Sequence, residues 1–186
     1  MTRHSLSRRA VLLAAATLPH TLARSGTQSV ELRNQMEELA REHGICAATF
    51  ATITAGTPDL PELVVGCKSI DGVSASSIFQ AASLSKPVLV RDESALRLTT
   101  AAPVSASARP RLDWGLGWGI EHLPSGPCIW QWGNNTGYRA FAMASVRSGD
   151  GFVLFTNSER GLLLAEPLAN LVIPSEHPSF QFRMLR

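Results

Sequence analysis

Ser83 and Lys86 stand three positions apart in Ser83-Leu84-Ser85-Lys86. On a helix, residues at that spacing share a face, so a hydroxyl and an amine can meet there. A serine hydroxyl is a weak nucleophile until a neighbouring base takes its proton. A lysine becomes such a base when desolvation or nearby positive charge lowers its pKa. A helix that starts at Ser83 brings positive charge of its own, because its first N–H groups are unpaired, and they also favour negative charge developing on a substrate oxygen. The chemistry these residues point to is nucleophilic acyl transfer. A capping serine followed by a solvated lysine has the same spelling, so the tetrad needs context.

Other reactive side chains offer less. The three cysteines, Cys46, Cys67 and Cys128, are too few for a disulfide scaffold. Cys46 and Cys67 fall in neighbouring candidate strands but in a register that does not set them directly opposite, so free buried thiols are expected. The five histidines are isolated, and no Cys/His spacing matches a zinc site. Neither a metal nor a cofactor is expected.

The elements around the tetrad follow from periodicity and turn chemistry. Ser29 to His43 carries Leu32, Met36 and Leu39 at helical spacing, and Gly44 provides a stop. Ile45–Thr54 and Leu63–Ser69 read as a hairpin around Gly56-Thr-Pro-Asp. Ile78–Gln80 is a short extended lead into Ser83. A helix is expected from near Ser83 to about Leu96, because Pro87 is tolerated only in a first turn. Residues 97–111, built of Ala, Ser, Thr and Pro, read as a linker. Trp114–Glu121 opens a second block with strands at Cys128–Trp132, Tyr138–Val146 and Phe152–Thr156. Gly133–Gly137 and Ser148–Gly151 are the turns between them. A last helix over Gly161–Val172 contains Pro167, which costs on the order of 3 kcal/mol inside a helix unless it divides it. The sum is an α+β fold: an antiparallel sheet of about five strands flanked by N- and C-terminal helices and by the helix that bears Ser83.

Phe79-Gln-Ala-Ala-Ser-Leu-Ser-Lys-Pro-Val88 resembles the nucleophile segment of the serine β-lactamase and penicillin-binding-protein superfamily, in particular its class C β-lactamase and serine esterase branch. Trp114-Gly-Leu-Gly-Trp-Gly-Ile120 is similar to the stretch that precedes the active-site strand there. Trp130-Gln-Trp-Gly-Asn-Asn-Thr-Gly-Tyr138 and the residues after it are similar to the third motif and its following strand, and Gly149–Asn157 to the next one. The resemblance implies that Ser83 is the nucleophile and Lys86 the general base. It places Gln131-Trp132-Gly133 where the family has Lys-Thr-Gly or His-x-Gly. Gly133 keeps the close backbone approach, and the backbone N–H of Asn134 becomes the second oxyanion donor beside that of Ser83. Gln131 is uncharged, so a substrate carboxylate should bind less well.

The chain also departs from that pattern. The family's helical domain, with its Tyr-x-Asn or Ser-x-Asn motif, has no room between Ser83 and Gln131, and the chain's one tyrosine, Tyr138, belongs to a later strand. General acid–base help is worth about 10²–10⁴-fold, so turnover should be slow. The expected function is a β-lactamase-related serine hydrolase acting on β-lactam, ester or D-alanyl peptide carbonyls, impaired by that loss. The alternatives are a non-catalytic binder of cell-wall fragments or of a protein partner, and a remnant of a full-length family member. The sheet face that the helical domain would cover invites self-association.

The N-terminus bears on location. Arg3, Arg8 and Arg9 precede an apolar run, Ala10–Leu18, that is too short to span a bilayer. Arg8-Arg9-Ala-Val-Leu-Leu resembles a twin-arginine export signal. Residues 1–23 are therefore expected to be a signal peptide, and 27–186 a periplasmic domain without a stable membrane span. A net charge of +2 with scattered Lys and Arg gives no footprint for nucleic acid. The expected partner is a small acyl substrate or a cell-wall peptide.

Overall fold

Leu32, Met36 and Ala40 recur at every fourth position and are all buried, which sets one face of helix α1, Gly26–Glu42, against the sheet. The helix ends in a Schellman motif. Gly44 adopts a φ of 65°, its N–H reaches the Arg41 carbonyl, and the Ile45 N–H reaches back to the Ala40 carbonyl at 2.8 Å. The computed structural model describes residues 26–67, 73–74, 77–85, 104–105, 111–115, 117–182 and 185. The expected signal peptide lies outside them, as does Lys86.

The strands are β1 (Ala47–Thr54), β2 (Thr57–Pro58), β3 (Glu62–Val65), β4 (Val104–Ser105), β5 (Leu112–Trp114), β6 (Gly119–Leu123), β7 (Gly126–Asn135), β8 (Tyr138–Ser145) and β9 (Gly151–Thr156). They form one antiparallel sheet in the order β2-β1-β9-β8-β7-β6-β5-β4, with β3 also paired to β1. The α+β class is as expected. The sheet is wider than five strands because short pieces extend both edges, and one of them, β4, falls inside the expected linker. β7 also runs further than expected. Gly133, Asn134 and Asn135 stay paired with Ala140, Arg139 and Tyr138, so the turn narrows to Thr136-Gly137, where Gly137 takes a φ of 78°.

Alternation divides the sheet into two faces. Phe50, Phe152, Leu154, Phe141, Met143, Cys128 and Trp130 point to one face and join the helices in the main core. Helix α2, Ala165–Val172, closes that face with Leu168, Ala169 and Val172. Pro167 lies in its first turn, where a missing N–H costs least, and a 3₁₀ turn at Gly161–Leu164 precedes it. The expected last helix is thus divided. The opposite face of β8 carries Ala140 and Ala142. Those methyl groups leave room for a 3₁₀ turn at Ala82–Ser85, whose Leu84 is buried against them. Whether a longer helix follows Ser85 lies outside the described residues.

The cysteine expectation is overturned. Cys46 and Cys67 form a disulfide, with their Cα atoms 4.6 Å apart. The register does set Cys46 opposite Gly66, whose N–H bonds the Cys46 carbonyl at 3.0 Å. Gly66, however, lies against the end of α1, where a Cβ would stand 2.9 Å from the Ala40 carbonyl carbon and would overlap the Ile45 carbonyl oxygen. Cys67, one residue past that pairing, carries the sulfur that meets Cys46. Cys128 is the free cysteine, and it is buried.

Candidate active site

Ser83 is half-buried in the Ala82–Ser85 turn. The turn closes with the Leu84 N–H on the Ala81 carbonyl at 3.0 Å. Ala82, immediately before Ser83, has a φ of 50°. A residue with a Cβ held in the left-handed region costs of order 1–3 kcal/mol, and such strain persists only where the surroundings enforce it. Here the enforcing contacts come from Leu84 below the turn and from β7 beside it.

Two contacts with β7 fix the turn. Gly133 lies so close that a Cβ there would overlap the Ala81 carbonyl oxygen and stand 3.1 Å from the Ala82 Cβ. Two residues on, Asn135 Nδ2 donates to Gln80 Oε1 at 2.9 Å. Ser83 and the Gln131–Asn134 stretch, distant in sequence, are thus brought to one end of the sheet.

At that end β7 has an unpaired edge. β6 is matched to β7 from Gly126 to Trp130, while β8 continues alongside as far as Asn135. The Trp132 N–H faces this edge and takes a side-chain acceptor, Gln131 Oε1, at 2.9 Å. Backbone N–H groups two residues apart point the same way along a strand. The Asn134 N–H is therefore aimed at the same edge.

Gln131 is 6% exposed, and its amide is used on both ends. Its Nε2 donates to the Gly117 carbonyl at 2.7 Å, and its Oε1 takes the Trp132 N–H. Gly117 belongs to a tight turn in which the Gly115 N–H reaches the Trp118 carbonyl at 2.8 Å. The side chain links that turn to β7.

That same end of β7 is held by charge. Arg139 Nη1 donates to the Asn135 carbonyl at 2.7 Å and to the Tyr138 carbonyl at 2.9 Å, while Nη2 pairs with Glu159. Glu159 Oε1 accepts the Gly137 N–H at 2.6 Å. That backbone bond first, and Arg139 with it, hold the Glu159 carboxyl below its usual value against the opposing effect of desolvation. Arg139, Glu159, Gln80 and Asn135 were not marked in the sequence as parts of the site. An ion pair between residues twenty apart leaves no short-range pattern.

A second polar group, on the helix-covered face, was also not foreseen. His177 and Glu121 are both fully buried and lie 2.5 Å apart through Nδ1 and Oε1. His177 Nε2 faces the Ile173 carbonyl at 2.8 Å, and the Ser179 N–H donates to Glu121 Oε2 at 3.1 Å. Both ring nitrogens face oxygens, an arrangement that suits a ring protonated at both nitrogens. Burial opposes that charge, but the bond to Glu121 and its charge outweigh burial, and the His177 pKa is raised. Across the ladder from Glu121, burial first and Glu121 second push the Cys128 thiol up to about 12.

Comparison with known proteins adds little. No family model matches the chain, and no curated protein matches it. Among solved structures the chain is similar to a D-stereospecific amidohydrolase from Streptomyces sp., with 18% sequence identity and a TM-score of 0.38. The likeness covers 50% of this chain and 28% of that one, so the chain spans well under a third of that protein. A match of this size decides nothing about activity.

Proposed function

We propose that the chain is a serine acyl hydrolase of the β-lactamase-related type, with Ser83 as nucleophile and Lys86 as its base. The observation that supports this reading best is the backbone contact of Gly133 with Ala81 and Ala82. It sets a strained turn bearing Ser83 beside a strand edge toward which the Asn134 N–H points. An acyl carbonyl between them has a nucleophile on one side and backbone donors on the other.

In this reaction the Ser83 Oγ forms a bond to the carbonyl carbon as the bond to the leaving oxygen or nitrogen breaks. The serine proton passes through Lys86 to the leaving group. Water then adds to the acyl-enzyme and releases a carboxylic acid, which restores the Ser83 hydroxyl. Without a tyrosine to relay the proton, deacylation is slow and the acyl-enzyme accumulates. The substrate class, a small acyl ester, a β-lactam or a cell-wall peptide, belongs to the same proposal.

The reading also places the protein in the periplasm, exported by residues 1–23. The Cys46–Cys67 disulfide supports an oxidising compartment. Self-association through the sheet face around Val153 and Phe155 is part of the proposal too, and a monomer in analytical ultracentrifugation removes that part.

Intact-mass spectrometry of the purified chain, after exposure to benzylpenicillin and to 4-nitrophenyl acetate, tests the reading. The expected result is a mass gain of one acyl group that Ser83→Ala abolishes. Absence of any gain in protein with a cooperative unfolding transition retires the enzyme and leaves the non-catalytic binder.

A further inference from the structure

Beyond Trp130, β7 is matched to β8 along one edge only among the described strands. A strand end paired on one side opens more readily unless packing holds it from above and below. On the site face the Ser83 turn lies against Gly133. The preceding side chain, Trp132, points to the opposite face, because neighbours alternate along a strand, and packs on the main core. There it meets three rings. Trp130 stacks on it with centroids 5.8 Å apart, Trp114 of β5 stands edge-on at 5.7 Å, and Phe182 lies at 5.6 Å. Trp130 and Trp114 belong to the sheet. Phe182 follows the 3₁₀ turn Pro178–Gln181, and it also reaches Trp130 at 5.8 Å and Trp114 at 6.5 Å. One side chain from the C-terminal segment thus spans all three tryptophans of this cluster.

The bonds that hold Phe182 form a short chain. Its N–H donates to the Ser179 carbonyl at 2.9 Å, and the Ser179 N–H donates to Glu121 Oε2 at 3.1 Å. Glu121 is fully buried on β6. The segment is pinned to β6, and its ring leans across to the site end of β7. We infer that Phe182 is a positioning residue for the acyl site: it backs Trp132 and so sets where Gly133 and the Asn134 N–H stand against the Ser83 turn. Gly133 has no side chain of its own to fix its place, and packed rings pass a displacement on because protein interiors compress little. The inference rests on the Ser83 reading.

The test follows acylation of the purified chain by 4-nitrophenyl acetate. The first-turnover release of 4-nitrophenol gives the rate, intact mass gives the label on Ser83, and both are corrected for the folded fraction. Phe182→Ala should lower the limiting rate at least about tenfold and leave the half-saturating ester concentration within about twofold, since a misplacement of about 1 Å costs on the order of 10²-fold in rate. Phe182→Tyr, which keeps the ring, should restore the rate. Tryptophan emission should move to longer wavelength in the alanine variant and return in the tyrosine variant. Phe152→Ala is the comparison, because Phe152 lies in the same core but in ring contact with Phe141. It should lose stability and keep its rate per folded molecule. If Phe182→Ala gives no cooperative unfolding transition, Phe182→Leu is judged by the same criteria. A wild-type rate in the Phe182 variant, or an equal loss in Phe152→Ala, overturns the inference while the Ser83 reading stands. If the wild-type chain takes no label at Ser83, that reading itself has failed, and the positioning role falls with it.

Discussion

Gly133 and Ala81 touch through their backbones: the α-carbon of one lies against the carbonyl of the other, with no space for a side chain between them. This contact joins two segments that the sequence holds far apart, and the proposed acyl site depends on it. Alanine at 133 must push the Ser83 turn away, since backbone atoms on both sides cannot yield as a flexible side chain would. Gly133→Ala should cost about 1–3 kcal/mol in urea unfolding, as overpacking does. It should also reduce Ser83 acylation more than that loss of stability accounts for. Unchanged acylation would show that the contact does not position the turn.

The small face of β8 makes the same argument from below. Ala140 and Ala142 leave the space that Leu84 fills. Ala140→Phe should displace the turn and suppress acylation by 4-nitrophenyl acetate. Leu84→Ala, which empties the space instead, should cost about 2–5 kcal/mol. Phe141→Ala on the opposite face serves as a comparison. It should cost about 3–5 kcal/mol, while the surviving folded fraction still acylates. Equal effects of Ala140→Phe and Phe141→Ala on acylation per folded molecule would refute a positioning role for the alanine face.

Much of this arrangement was legible in the residues. The run Ala140-Phe-Ala-Met-Ala144 alternates small and large, and the structure uses the large ones for the core and the small ones for the turn. Helix α1, its glycine stop and the β8–β9 hairpin were equally readable, because each depends on neighbours within a few positions. The length of β7 was not. Gly133-Asn-Asn reads locally as a turn, and only pairing with Tyr138–Ala140 extends the strand through it. Nor was the disulfide legible, because the strand register sets Cys46 against Gly66, and only the folded geometry brings the sulfur of Cys67 to it. Gln131 was legible as an uncharged residue in the stretch that resembles a third motif. Its bond to Gly117 was not, since that depends on how a distant turn folds over the strand.

The cysteines allow a direct count. With Cys46 and Cys67 bonded and Cys128 buried with its thiol pushed up to about 12, the native protein should give no reaction with Ellman's reagent at pH 8. In guanidinium chloride one thiol should appear, and three after reduction. The bond closes a 21-residue separation, so Cys46→Ala with Cys67→Ala should lower stability by about 3 kcal/mol. Three thiols in the unreduced, denatured protein would contradict the disulfide.

Glu121 and His177 make stability depend on pH in a direction the geometry fixes. The His177 ring is held by Glu121 and by the Ile173 carbonyl, and its pKa lies above the ordinary value of 6.5. Below that ordinary value, folded and unfolded chains both carry the proton, and the pair contributes in full. As pH rises toward the folded value, the unfolded chain has already released its proton, and the contribution is lost. Glu166 adds to the raised value from α2, and Cys128 on β7 stays protonated until far higher pH. The urea midpoint should therefore fall between pH 6 and pH 8.5, with Cys128, whose thiol the fold also keeps protonated, adding to the fall near the top of that range. His177→Leu leaves a buried carboxylate unpaired and should cost about 3–5 kcal/mol at pH 6. It should also flatten the fall over that range. A wild-type midpoint that stays level from pH 6 to 8.5, or rises, would mean that the ring is neutral in the folded state.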